Sequence, residues 1–238
     1  MIILYGFCGG LGVVDLSPFV MKVDTLLRLA NLPYQLKADA RHMSQAPKKK
    51  LPYIDDDGQL ISDSYFIAHY LKEQYQIDFD EWLTAEQKAL SQLIINSLED
   101  NFYFCIVYSR WLPEGDWIDF KQHIFSKLPS VLKLIIPNVA RKQVKLTLNK
   151  QGISRHSEEQ VFEIYNNSLQ HLSTMLGKQQ YFMGDKLCLL DIVAYSMLVQ
   201  VIQVEMQTPF TMQARKYQNL VQFCHTMQQQ LSQHSAAA

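Results

Sequence analysis

Strand-forming patterns in this 238-residue chain are confined to the residues before Ser62, and beyond Thr84 the apolar runs repeat at helical spacing. A chain so divided folds as two unlike parts. Residues 2–5 are a short apolar run of strand formers, stopped by a glycine-rich stretch, residues 6–12. Ser17-Pro18 then places a capping hydroxyl ahead of a proline suited to the first helical position. Val20, Val23, Leu27 and Ala30 recur at helical spacing until Asn31 and Pro33 end the run. Residues 34–37 read as a second strand. Residues 51–54 and 59–61 flank Asp55-Asp56-Asp57-Gly58, a hairpin pattern, because Asp-Gly tolerates the positive φ of a tight turn. Residues 62–75 return to a helical pattern.

The second part opens on a capping box, Thr84-Ala85-Glu86-Gln87, and helical periodicity runs from there through Trp111. Residues 113–117 read as a turn, and Pro129 and Pro137 are expected to break the next helical stretch. Residues 152–157 form a loop ending in a second capping box, Ser157-Glu158-Glu159-Gln160. Helices are predicted over 161–176, 190–205 and 217–231, with a frayed tail at 235–238. The order strand, helix, strand, hairpin, helix is that of a thioredoxin-like half domain. The expected architecture is therefore an α+β thioredoxin-like domain over residues 1–76 and an all-α domain over 84–238, joined through residues 76–83.

With 48% apolar residues, the chain can bury a core. Lys and Arg total 22 against 23 Asp and Glu, so no global field favours nucleic acid or an anionic surface, and small or neutral ligands are preferred. Cys8, Cys105, Cys188 and Cys224 show neither CxxC nor zinc-finger spacing, which reads as reduced thiols in a cytoplasmic protein, with no metal expected. The first residues read as a strand rather than a signal peptide. Residues 131–136, the longest later apolar run, are interrupted by Lys133 and closed by Pro137, so no membrane insertion is expected.

Leu51-Pro52, the acidic turn and Asp63-Ser64 form the most informative string. A proline at a strand start donates no ladder hydrogen bond and, if cis, turns the Leu51 backbone outward to pair with an extended peptide. Asp63 and Ser64 stand at a helix N-terminus, where a hydroxyl and unpaired amides suit a carboxylate. Each feature taken alone also reads as ordinary capping or an edge proline. Together they resemble the glutathione-site signature of the glutathione S-transferase superfamily. That resemblance implies that Leu51-Pro52 pairs with the tripeptide glutathione and that Asp63 and Ser64 hold its γ-glutamyl end. Lys50 is either a partner for the glycine carboxylate or one more solvated lysine of the run 48–50.

In superfamily members a serine or cysteine opening the first helix touches the glutathione sulfur, which makes Ser17 the catalytic candidate, although capping accounts for Ser17-Pro18 equally well. Tyr5 stands where some classes place a tyrosine for the same purpose, but its apolar run points to the core. Cys8 lies in the loop between them, without the partner cysteine of a thioredoxin CxxC. The loop over residues 6–16 would overlie the sulfur and shape access for the second substrate. Tyr108 and Trp111 are candidates to line the acceptor pocket, with Arg110 as a polar anchor. The string Gly184-Asp185-Lys186-Leu187-Cys188-Leu189-Leu190-Asp191 resembles the superfamily's folding motif, with Cys188 where a hydroxyl residue is usual, so a weaker cap is expected there.

Ser17-Pro18-Phe19, residues 50–54, Tyr108-Ser109-Arg110-Trp111 and Arg155-His156-Ser157-Glu158-Glu159 resemble the failed-axon-connections and metaxin-like branch. The resemblance extends over nearly the full length. It implies a detoxifying transferase that conjugates or reduces a small electrophile or peroxide with glutathione, in a homodimer. The alternative it also implies is a metaxin-like interaction module whose glutathione cleft is vestigial, because fold alone does not carry activity.

Overall fold

The computed structural model describes residues 1–126 and 128–233, so the expected tail at 235–238 lies outside the described residues. A mixed sheet of four strands, in the order β2-β1-β3-β4, is built from β1 (Ile2–Gly6), β2 (Tyr34–Ala38), β3 (Tyr53–Asp56) and β4 (Gln59–Ser62). β1 and β2 are parallel, joined by α1 (Pro18–Leu29), while β3 is antiparallel to both β1 and β4. The hairpin forms at Asp57 and Gly58, both at positive φ (48° and 94°), as the Asp-Gly pair requires. α2 (Ser64–Tyr75) follows and ends at Gln76 in the left-handed region.

Beyond α2 the long elements among the described residues are helices: α3 (Ala85–Ser97), α4 (Tyr103–Trp111), α5 (Glu114–Ile124), α6 (Ser130–Gln151), α7 (Glu158–Leu176), α8 (Leu189–Ile202), α9 (Pro209–Ala214) and α10 (Gln218–Gln233). Both expected capping boxes are present, at Thr84 with Gln87 and at Ser157 with Gln160. The helical run expected from Thr84 through Trp111 is present as α3 and α4, joined through a π-helical turn at Leu98–Phe102. Two expectations fail. Residues 113–117 are not only a turn: α5 starts at Glu114, with Glu114 and Asp116 favourably placed in its first turn. Pro137 does not break the chain's course either, because Pro129 precedes the first turn and Pro137 is carried, buried, inside the 22-residue α6. A long helix packed against neighbours can forgo the one backbone bond that proline removes.

α8 is predominantly apolar around its circumference and buried from Leu190 through Ile202, with Asp191, Ser196 and Gln200 as its buried polar residues, the state expected of a helix that has no solvent face. α1 packs against it. Ile192 of α8 belongs to the apolar cluster of the sheet domain, and Val13, Leu16 and Met21 belong to that of the helical domain, so the two cores interlock. The joining segment is tied down as well. Asp80 accepts a hydrogen bond from the Leu189 amide (2.8 Å), and the Trp82 indole donates to the Leu187 carbonyl (3.1 Å). At the start of α8, Asp191 accepts from the amides of Phe182 (2.8 Å) and Cys188 (2.9 Å) and from the Cys188 thiol (3.0 Å). Asp191 thus keeps its half of the cap with a cysteine opposite it.

Candidate functional site

The strand directions gather the signature residues at one end of the sheet. Tyr5 pairs with Tyr53, and Tyr53 with Ser62, so β1 leaves the sheet beside the residues that open β3 and close β4. α1 and α2 both begin at that end. The Leu51–Pro52 peptide is cis. Among the described residues, no hydrogen bond of the loops and turns engages the Leu51 amide or carbonyl. The Asp63 amide donates to the Pro52 carbonyl at 3.2 Å, joining two pairs of residues that the hairpin separates in sequence.

Asp63 holds φ 82° and ψ 128°, outside the conformations that a side chain favours, and its carboxylate accepts from the Tyr65 amide at 3.0 Å. Backbone strain of this kind costs about 1–3 kcal/mol and persists where the surroundings enforce it. Its effect here is to turn the chain sharply from β4 into α2, which leaves Ser64 at the helix start, buried, while Asp63 stays exposed. Lys50 is exposed. Lys48 of the same run lies over the Phe66 ring, 4.2 Å from its centroid, and so sits against α2.

Ser17 caps α1, its Oγ accepting from the Val20 amide at 3.4 Å, which leaves the hydroxyl hydrogen able to donate elsewhere. The loop before it is held from within. Asp15, fully buried, accepts from the amides of Phe7 and Ser17, both at 2.8 Å, and the Leu16 amide donates to the Cys8 carbonyl at 2.8 Å. Burial pushes the Asp15 carboxyl up to about 7, against the lowering effect of those amides. The loop is also held from across the domain boundary. Arg110 donates to the Leu16 carbonyl (2.8 Å) and to both the carbonyl (2.9 Å) and Oε1 (2.7 Å) of Gln200. Gln200 returns a bond from Nε2 to the Asp15 carbonyl (2.9 Å), and the Glu205 amide donates to the Leu11 carbonyl (2.7 Å). Desolvation brings the Arg110 guanidinium down to about 10, so it stays charged at neutral pH.

A family model described as "Glutathione S-transferase N-terminal domain" matches residues 18–115, and one described as "Glutathione S-transferase, C-terminal domain" matches residues 165–227. The chain belongs to the glutathione S-transferase family. Among its relatives, Failed axon connections of Drosophila melanogaster is 33% identical over 84% of this chain and 50% of its own length, so the chain spans half of that protein. The isoprene-epoxide glutathione S-transferase of Rhodococcus is 28% identical over 97% of this chain and 99% of its own length. Mouse Metaxin-1 is 25% identical over 93% of this chain and 72% of its own. In fold, the chain resembles a Ceriporiopsis subvermispora glutathione S-transferase solved with glutathione, at TM-score 0.59 and 18% identity over 98% of both chains. These relatives include the branch that the sequence motifs pointed to.

Within this family member, the other candidates fall into different settings. Tyr5 is absent from both apolar clusters, contrary to the core expected for it. It stacks on Tyr53 (centroids 4.3 Å apart) and meets the His42 ring edge-on (4.9 Å), on the sheet face opposite the buried Ile2 and Leu4. Cys8 is half-buried and packs against the helical core. Tyr108 is 6% exposed and tilts against Phe210, while Trp111 stacks on Trp117 at 5.1 Å and meets Phe120 edge-on. Both are wedged among helical-domain aromatics. Arg110, expected as a polar anchor of the acceptor pocket, is buried and instead holds the loop over residues 6–16 through the Leu16 carbonyl. Asp15 and Gln200 complete this network without belonging to any of the motifs above. An acid two residues before a helix-capping serine is a signal for Asp15, whereas nothing local marks a glutamine within an apolar helix as the partner of Arg110.

Proposed function

We propose that the protein binds reduced glutathione along Leu51-Pro52 and at Asp63-Ser64, and uses its thiolate to conjugate or reduce a small electrophile or peroxide. The observation that carries this reading is the Asp63 amide to Pro52 carbonyl bond, which joins Leu51-Pro52 to the start of α2, as a site for an extended peptide with a terminal carboxylate would need. The 28% identity to a transferase acting on isoprene epoxide, over nearly the whole of both chains, supports an epoxide as the class to try first. A free thiol titrates near ~8.5, and a hydroxyl donor at the start of a helix favours its ionised form. Ser17 is the donor we assign. With an epoxide, the thiolate forms a C–S bond, the C–O bond breaks, and the alkoxide takes a proton from water. We further propose a cytoplasmic, detoxifying homodimer, with Leu60, Phe66, Leu90 and Leu93 as exposed apolar residues available to a second subunit.

Calorimetry with reduced glutathione tests the binding step. The wild type should bind, and Ser64→Ala should bind roughly tenfold or more weakly, as expected for a lost hydrogen bond to a charged group. No measurable binding by the wild type removes the enzymatic reading. Lys50→Ala in the same titration separates a carboxylate partner, with weakened binding, from a solvated lysine, with none of the effect. If binding holds, turnover of a panel of epoxides and peroxides should fall most for Ser17→Ala, ahead of Tyr5→Phe, Cys8→Ala, Tyr108→Ala and Trp111→Ala. Unchanged turnover in Ser17→Ala rejects that assignment.

The metaxin-like alternative, an interaction module with a vestigial cleft, draws on a different observation: the apolar residues left exposed on α6. It predicts no glutathione binding and full retention of any surface contact made through that helix.

A further inference from the structure

α6 contains Lys133, Arg141, Lys142, Lys145 and Lys150 and no acidic residue, in a chain whose net charge is only -1. Its inward side is anchored. Pro137 and Leu148 are buried, and Arg141 donates to the carbonyls of Trp111 (2.8 Å) and Leu112 (2.9 Å) and pairs with Glu114 (2.8 Å). Its outward side is apolar toward the N-terminal half. Val131 is 71% exposed, Leu134 74%, Ile135 59% and Val139 61%, with Leu132 and Leu146 also exposed. At ~100° per residue, the positions from Leu134 through Val131, Ile135 and Val139 to Leu132 span about 160° of the helix circumference. Isolated exposed leucines are ordinary, but an apolar face beside lysines that no acidic residue of the same helix opposes marks an interaction surface.

The charge and shape of that face select among occupants. A parallel second copy would bring Lys142, Lys145 and Lys150 against their own kind, and an antiparallel one would lay these lysines on the partner's apolar half, burying charge without a counter-ion; both oppose self-association through α6. A coiled-coil partner takes a narrow seam of two positions per heptad, whereas this face is broad and convex. A lipid surface accepts a convex apolar face without needing a shaped groove, and anionic headgroups answer the lysines. Beside the apolar residues, a shallow depression of about 400 Å³ is lined by Asn138, Arg141, Lys142, Lys145, Leu146 and Asn149, amide and cationic groups suited to a phosphate. No described helix is long and apolar enough to cross a membrane, so the contact would be made from one side.

We propose that the outer face of α6 docks the protein on an anionic lipid surface, with Val131, Leu134, Ile135 and Val139 entering the acyl boundary and Lys142 and Lys145 meeting headgroup phosphates. The proposal is independent of glutathione binding. Its test is co-sedimentation of the full chain with phosphatidylcholine vesicles containing phosphatidylserine, compared with phosphatidylcholine alone. Binding should require the anionic lipid and weaken as salt is raised. Lys142→Gln with Lys145→Gln should weaken it roughly tenfold or more, and Ile135→Ser with Val139→Ser should abolish it. Because all four positions are exposed, circular dichroism and thermal melts should be unchanged in both variants. Inorganic phosphate at millimolar concentration should not displace the vesicles. Displacement by phosphate alone, or loss in the lysine variant without loss in the apolar one, reduces the site to an anion site and overturns docking. Absence of vesicle binding at low salt, or binding indifferent to both variants, also overturns it. A dimer in sedimentation velocity that disappears in Ile135→Ser with Val139→Ser, without vesicle binding, assigns the face to a second copy instead.

Discussion

Asp15 lies two residues from the proposed sulfur contact, and its protonation is coupled to folding. Burial raises its carboxyl to about 7 in the native state, against an ordinary value of ~3.9 in an unfolded chain. Between those values the native state binds more protons than the unfolded one. The contribution of this group to stability is therefore greatest below about 4 and is lost as pH rises through about 7. Asp15→Asn should flatten the pH dependence of the melting temperature between about 4 and 7, leaving only the slope from other groups. An identical slope in the variant would show that Asp15 titrates normally. The same carboxyl holds the amides of Phe7 and Ser17, so Asp15→Ala should cost about 1–3 kcal/mol in chemical denaturation through stranded buried donors.

At the level of elements, the glycine loop between β1 and α1 is the part least able to tolerate change. Gly10 has φ +129°, and a Cβ there would stand 2.1 Å from the His123 Nε2 of α5. Gly10→Ala should lower stability by about 1–3 kcal/mol, through strained backbone and the displaced imidazole together. Gly115, within α5, has open space around its Cβ position, and Gly115→Ala should raise stability by about 1 kcal/mol. Urea titrations of the two variants give the comparison, and equal effects would deny the loop its special role. Glycine composition announced a loop but could not announce this seat, because His123 is far away in sequence. The hairpin, the capping boxes and the Leu51-Pro52 and Asp63-Ser64 pairs were legible for the converse reason: each is a short pattern whose chemistry acts within a few residues. Pro137 misled as a helix breaker because its cost is local, while the packing that outweighs it is not.

Across the whole molecule, the two domains are joined by buried charge as well as by apolar contact. Lys22 of α1, 3% exposed at its side chain, pairs with Glu99 of the π-helical turn at 2.7 Å. Removing one partner strands the other, so Glu99→Ala should cost about 3 kcal/mol. Lys22→Met with Glu99→Leu should recover much of that loss, since an apolar pair needs no desolvation of charge. Denaturation in urea of the single and double variants forms the test. Additive losses would mean that the pair is not coupled across the boundary.

The amino-acid sequence alone determined the division into a thioredoxin-like half and a helical half, since periodicity, caps and turns are written in neighbouring positions, and its short motifs carried the resemblance to the family and marked Leu51-Pro52 and Asp63-Ser64 as the candidate tripeptide edge. Only the tertiary structure decided that Arg110 holds Leu16 through Gln200 rather than simply facing a pocket, that Tyr5 stacks on Tyr53 outside both cores, and that α6 runs unbroken with an apolar outer face. The physical reason is the same in each case. Burial, desolvation and the choice of hydrogen-bond partner depend on which distant elements meet, and no local pattern encodes that meeting.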